Sequence, residues 1–173
     1  FAPVASPDGK TIAFRGYADH PKAYQKNNLY LMNADGSNVR ELAAGFDRAF
    51  GQTVWAPNGR SLYSLIENAG NIDLFEIGLN GDTSIALSGL GGTSIGRPYG
   101  GADFSISATS RPVFAYTAGT ADTPADVAVA GRNVTDRVLT SLNADILPYL
   151  DMARVEEFKV SSSADGREVE AWV

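Results

Sequence analysis

Cysteine is absent from the 173 residues, and histidine occurs once. Without thiols there is no disulfide, no thiolate nucleophile and no zinc–thiolate site. The redox compartment stays open, because a cysteine-free chain is at home in either. His20 cannot build a metal centre or a catalytic dyad alone, and it sits beside Pro21 in a polar stretch, the setting of a solvated loop residue. Positive charge is also scarce: 14 Lys and Arg face 20 Asp and Glu, giving a net charge of −6 and a pI near 4.7. A surface of that sign repels nucleic-acid phosphates, so no nucleic-acid partner is expected. No apolar run has the length of a membrane-spanning helix, so no membrane partner is expected, and no stretch reads as a signal peptide.

What is present is a repeated turn. Ser6-Pro7-Asp8-Gly9 and Ala56-Pro57-Asn58-Gly59 are each followed by a basic residue and a short apolar run, Lys10-Thr11-Ile12-Ala13-Phe14 and Arg60-Ser61-Leu62-Tyr63. A second turn keeps a similar beat, at Asn33-Ala34-Asp35-Gly36 and Asn80-Gly81. Short strands and tight turns at a period of about 50 residues read as β-propeller blades. The chain has room for about three, whereas closed rings need roughly four to eight. Together with the absence of an initiator Met and a strand-like run that stops at Ala171-Trp172-Val173, this gives the expectation of a fragment of a longer protein.

The fold expected is all-β: a partial β-propeller of about three four-stranded blades over residues 1–154, plus a terminal hairpin over 155–173. In the first unit Ile12 and Phe14 alternate with Thr11 and Ala13 as in a half-buried strand, and 18–28 is a polar loop. Leu29 to Met32 is apolar on both faces, and Val39 to Leu42 closes the unit. In the second, Thr53-Val54-Trp55 and Leu62 to Ile66 are strands. Phe75, Ile77 and Leu79 alternate toward a type I′ turn at Asn80-Gly81, and Ser84 to Leu87 precedes a Gly/Ser-rich loop from Ser88 to Gly101. The third unit has lost its Pro-Asp-Gly turn, with Ala108-Thr109-Ser110-Arg111 in its place. Phe104 to Ser107, Val113 to Thr117, Asp126 to Ala130 and Val138 to Thr140 supply its strands. Aligning Ile12, Leu62 and Phe114 keeps the register. Pro148 limits 143–154 to a helical turn or two. Trp55, Phe14, Phe75 and Phe104 are expected in the blade cores.

Each motif that suggests chemistry has a simpler explanation. Gly92-Thr93-Ser94-Ile95-Gly96 matches the G-x-S-x-G elbow of α/β-hydrolases, which needs a strand before the serine and a helix after it. Here Gly and Pro surround it, and His20 lies upstream rather than downstream, so Ser94 reads as a loop serine. Gly89 and Gly91 lack the third glycine and the helix of a dinucleotide cradle. Asn33 to Ser37 lacks the terminal Glu of a calcium loop and reads as a hairpin. Glu156 and Glu157 are adjacent, so in a strand they point to opposite faces and cannot easily grip one ammonium. Asn133-Val134-Thr135 is a glycosylation sequon by pattern only. Catalytic, cofactor-binding and metal-binding residues are therefore expected to be none, and no cofactor is implied.

Together these residues resemble the propeller of the prolyl oligopeptidase family of serine peptidases, in its acylaminoacyl-peptidase and dipeptidyl-peptidase branch. The carrying phrases are Ser6 to Phe14, Leu29 to Gly36 and Trp55 to Arg60, of which the first two are shared with TolB-type propellers. The tail, Val155 to Phe158 and Ser163 to Val173, resembles the segment that leaves the propeller and enters the hydrolase domain. Thr117 to Val127 is similar to the last blades. The resemblance implies a non-catalytic segment that gates short peptides to a downstream α/β-hydrolase domain, with the Ser, Asp and His of the triad beyond Val173. Arg97-Pro98-Tyr99 would stand near the inner rim. The alternative is a TolB-like propeller that binds a protein and carries no enzyme. An open ring also exposes apolar faces, so self-association is expected.

Overall fold

The computed structural model describes residues 1–21, 24–92, 101–120 and 123–173. Regular structure is almost entirely extended: β1 (Val4–Ala5), β2 (Thr11–Gly16), β3 (Asn28–Asn33), β4 (Arg40–Leu42), β5 (Phe50–Trp55), β6 (Ser61–Asn68), β7 (Asn71–Gly78), β8 (Thr83–Leu90), β9 (Phe104–Ile106), β10 (Val113–Ala118), β11 (Asp126–Gly131), β12 (Val134–Val138), β13 (Glu157–Ser161) and β14 (Glu168–Trp172). Among the described residues the one helical element is a 3-10 turn at Leu147–Tyr149, with Pro148 in its first turn.

The strands form three antiparallel meanders, β1–β4, β5–β8 and β9–β12, which are the three expected blades. A single pairing of Leu90 with Ala118 joins the second blade to the third. β13 and β14 make a separate hairpin. Register defines which residues correspond: Thr11 pairs with Asn33, Ser61 with Gly78 and Val113 with Gly131. Ile12, Leu62 and Phe114 therefore occupy one position in successive blades, as the sequence spacing predicts.

Two apolar layers hold the blades together. Ala13, Leu29, Leu31, Phe50, Leu62 and Ile77 pack between the first two, and Tyr63, Leu65, Leu74, Phe104, Phe114 and Tyr116 between the second and third. Successive side chains of β6 enter opposite layers, so Leu62 and Ile66 belong to one and Tyr63 and Leu65 to the other. A strand buried on both faces loses its polar alternation, and Ser61 to Ile66 is accordingly buried throughout.

β2 reverses the expected parity. Ala13 is fully buried against the second blade, whereas Ile12 and Phe14 are half-buried. With their cross-strand partners Met32 and Tyr30 they form the opposite face of the first blade. The Phe14 and Tyr30 rings stack there, centroids 5.4 Å apart. The corresponding side chains of the second blade, Leu62, Ser64, Phe75 and Ile77, are no more than 8% exposed because the first blade covers them. Trp55, Phe75 and Phe104 are core residues as expected; Phe14 is not.

The turns explain the repeat. The Ser6 N–H donates to the Thr11 carbonyl (2.8 Å), and Ser6 Oγ accepts from the Thr11 N–H (3.0 Å) while donating to Asp8 Oδ1 (2.7 Å). The third blade keeps this device without the Pro-Asp-Gly sequence: Ser107 N–H donates to the Val113 carbonyl and Ser107 Oγ accepts from the Val113 N–H, both at 2.9 Å. Ser107 thus replaces Ser6 in a loop one residue longer. Ser107→Ala is expected to cost about 0.5–1.5 kcal/mol of stability, read as a lower urea midpoint, since one amide loses its partner at the mouth of the turn.

Three boundaries differ from expectation. The turn before β8 is not type I′: Gly81 has φ 93° but Asn80 is not left-handed, and Gly81 N–H donates to the Gly78 carbonyl (2.9 Å). It is a type I turn closed by a left-handed glycine, and it takes in Leu79, which leaves the strand and is 36% exposed. β8 runs on to Leu90, because buried Leu90 pairs with both Ile72 and Ala118. β12 ends at Val138, with Leu139 N–H making one further bond to the Val127 carbonyl (2.7 Å).

Candidate binding face

The antiparallel order places the β1–β2, β3–β4, β5–β6, β7–β8 and β11–β12 turns at one end of the blades, and the long connections at the other together with the Ala69–Gly70 turn between β6 and β7. Among the described residues the long-connection end carries 17–21, 24–27, 43–49, 91–92, 101–103, 119–120, 123–125 and 139–156. Loops held on a rigid sheet are where recognition residues concentrate, and two clefts open there.

The first, of 670 Å³, lies between the first two blades and is lined by Arg15, Lys26, Asp47, Arg48, Gln52 and Glu67, among others. Arg15 shares the inward parity of Ala13 on β2. Its Nη1 donates to the Phe50 carbonyl (3.4 Å), its guanidinium lies 5.3 Å from the Phe1 ring centroid, and its Nε is buried with no hydrogen-bond partner among the described residues. No carboxylate among the described residues forms an ion pair with it. Burial holds its pKa below the usual arginine value. Lys26 Nζ donates to the Phe46 carbonyl (2.7 Å). Arg48 is 3.7 Å from the Asp47 carboxylate in an exposed pair.

The second cleft, of 530 Å³, lies under the terminal hairpin, where Trp172, Val155 and Glu157 face Gly70, Leu90 and Gly119. Trp172 approaches so closely that a Cβ on Gly70 would stand 2.3 Å from the indole, and φ at Gly70 is 75°. Only glycine meets both demands. Glu157 lines this cleft, while Glu156 pairs its backbone with Val173.

At the tight-turn end a smaller cleft of 370 Å³ holds Tyr63 and Glu76. Burial, then the charge and hydrogen bond of Glu76, push the Tyr63 phenol up to about 12. Glu76 also accepts from Ser61 Oγ (2.6 Å). Tyr116 is raised in the same way, by burial and then by donating to Asp136 Oδ1 at 2.6 Å. A proton held more tightly in the folded state gives stability that is complete below pH 10 and is lost as pH rises through 12. The urea midpoint should therefore fall between those values, and Tyr63→Phe should remove part of that fall.

His20 is exposed, its N–H donating to Gln25 Oε1 (3.2 Å). Asn33 to Ser37 is a hairpin, with the Asp35 carboxylate accepting from the Ser37 amide (2.9 Å) and hydroxyl (2.6 Å). Ser94 and Arg97-Pro98-Tyr99 lie outside the described residues. No group of three or more His, Asp or Glu gathers as a metal site among the described residues, and no helix there is long and apolar enough to cross a membrane. Sequence reasoning missed Arg15 and Trp172. The legible signal for Arg15 is a charge at the inward parity of an otherwise apolar strand.

No family model matches the sequence, and no curated protein matches it. In fold the chain is similar to Pyrococcus horikoshii acylaminoacyl peptidase, with a TM-score of 0.64 at 18% identity over 95% of this chain. It spans 23% of that enzyme's length. An acylaminoacyl peptidase in complex with Z-Gly-Gly-Phe-chloromethyl ketone matches at the same TM-score, 0.64, with 19% identity. TolB from Acinetobacter baumannii matches at 0.54 and 19% identity, over 80% of this chain and 32% of TolB. The β-propeller domain of the Trilobed protease from Pyrococcus furiosus matches at 0.51 and 19% identity, over 83% of this chain and 38% of that domain. These likenesses establish the fold as consecutive blades of a β-propeller.

Proposed function

We propose that the chain is the propeller part of a serine peptidase of the prolyl oligopeptidase family, acylaminoacyl-peptidase and dipeptidyl-peptidase branch. Its role is to admit short extended peptides to an α/β-hydrolase domain downstream and to reject folded ones. The carrying observation is the extent of the likeness. The match to the P. horikoshii enzyme leaves too little of the chain unmatched to omit the terminal hairpin, whereas the TolB match does not require it. On this reading residues 1–154 are blades, 155–173 lead into the hydrolase domain, and the chain itself supplies no catalytic residue. The clefts at the long-connection end would face the passing peptide.

The TolB match over 80% of the chain favours a second reading, a propeller that docks a protein and carries no enzyme. The coding sequence after Val173 separates the two. A G-x-S-x-G elbow followed by Asp and then His is expected, and the whole protein should then cleave short peptides while leaving folded proteins intact. A stop codon or further blades without an elbow would give the second reading. Ser94→Ala should leave cleavage unchanged; loss of activity would overturn the assignment of chemistry to the downstream domain.

A further inference from the structure

We propose that the cleft between the first two blades is a carboxylate-binding site built on Arg15, and that it takes the C-terminal carboxylate of a short peptide. The choice of a peptide rests on the gate reading; the anion-binding chemistry rests on the cleft alone. A half-buried guanidinium is costly unless it is paired or fully hydrogen-bonded. Among the described residues Arg15 meets neither condition, since its Nε has no partner and the guanidinium's one hydrogen bond, to the Phe50 carbonyl, is long at 3.4 Å. The planar donor fork is the group that matches a carboxylate in two parallel bonds. Lys26 and Arg48 line the same cleft and add positive charge.

Asp47 and Glu67 also line the cleft, so three cationic side chains face two carboxylates and the net single positive charge is what one carboxylate neutralises. The setting is unusual in a chain of net charge −6, in which most long-range forces repel anions. Gln52 from β5 lines the same cleft, and its Nε2 donates to the Phe104 carbonyl at 3.4 Å.

The test is calorimetric titration of the full chain with trialanine and with its C-terminal amide. The free acid should bind about tenfold or more tightly than the amide, because a charge-assisted pair is lost in the amide. Arg15→Gln should erase that preference, and exposed Arg48→Gln should weaken acid binding by only about two- to threefold. If circular dichroism shows Arg15→Gln unfolded, Arg15→Lys serves: it keeps the charge but loses the fork, so the preference should shrink yet persist. Equal binding of acid and amide, no binding of either, or displacement by inorganic phosphate at lower concentration than the peptide would each overturn the site. A hydrolase domain downstream without acid preference would sink this proposal alone. Acid preference without such a domain would sink only the gate reading.

Discussion

At micromolar concentration the isolated chain should self-associate, and Phe14→Lys should weaken that association at least about tenfold, some 1.4 kcal/mol. The reason lies in the two ends of the blade stack. Ile12, Phe14, Tyr30 and Met32 form a half-buried apolar face on the first blade, at positions that are closed in the second blade. The far face of the third blade carries Ala115, Thr117, Val127 and Val129, which by register correspond to Ala13, Arg15, Leu29 and Leu31. Those are the residues that cover the second blade. Large rings at one end and small side chains at the other favour a head-to-tail contact, which grows into rings or longer assemblies. Light scattering and sedimentation velocity report it directly. A chain that stays monomeric across the concentration range, with cooperative unfolding, would remove the argument.

The second large effect is a contrast between two equivalent positions. Leu62→Ala should cost about 2–5 kcal/mol, a large share of the roughly 5–15 kcal/mol of a typical domain, since Leu62 is fully buried between blades. Ile12→Ala in the isolated chain should cost distinctly less, because Ile12 already meets solvent on one side. In a protein where another blade covers that face, the cost of Ile12→Ala should climb toward that of Leu62→Ala. Urea midpoints of the two variants, in the chain and in the longer protein, make the comparison. Equal losses in the chain would mean that the first blade is packed as tightly as the second and that its outer face is not open.

Much of this architecture is written in local signals. Ser6-Pro7-Asp8-Gly9 and Ala56-Pro57-Asn58-Gly59 mark turns by residue chemistry, and their spacing carries the blade register without any knowledge of packing. What was illegible depends on neighbours. Whether Ala13 or Phe14 enters the core is decided by which blade face has a partner, and alternation alone does not say. Leu90 continues a strand through glycine-rich sequence because Ile72 and Ala118 both pair with it. Asn80-Gly81 has the composition of one turn type and the geometry of another, since the hairpin closes one residue earlier. Ser107 hid because its loop is one residue longer than that of Ser6. The clefts were the least legible part: Arg15 of the first blade shares a cleft with Gln52 and Glu67 of the second only through blade packing.

The turn built on Ser6 and Ser107 has a consequence for how such a chain can change. Alignment is fixed at one extremity of each blade, where a backbone bond locks the first strand to the second, joined in the first and third blades by a serine hydroxyl. The opposite extremity carries the longer connections, so residues such as those in 43–49 or 143–156 stand outside that lock. New binding chemistry can be tried there by insertion or replacement while the frame stays in step, much as the blades of a fan splay differently yet share one rivet.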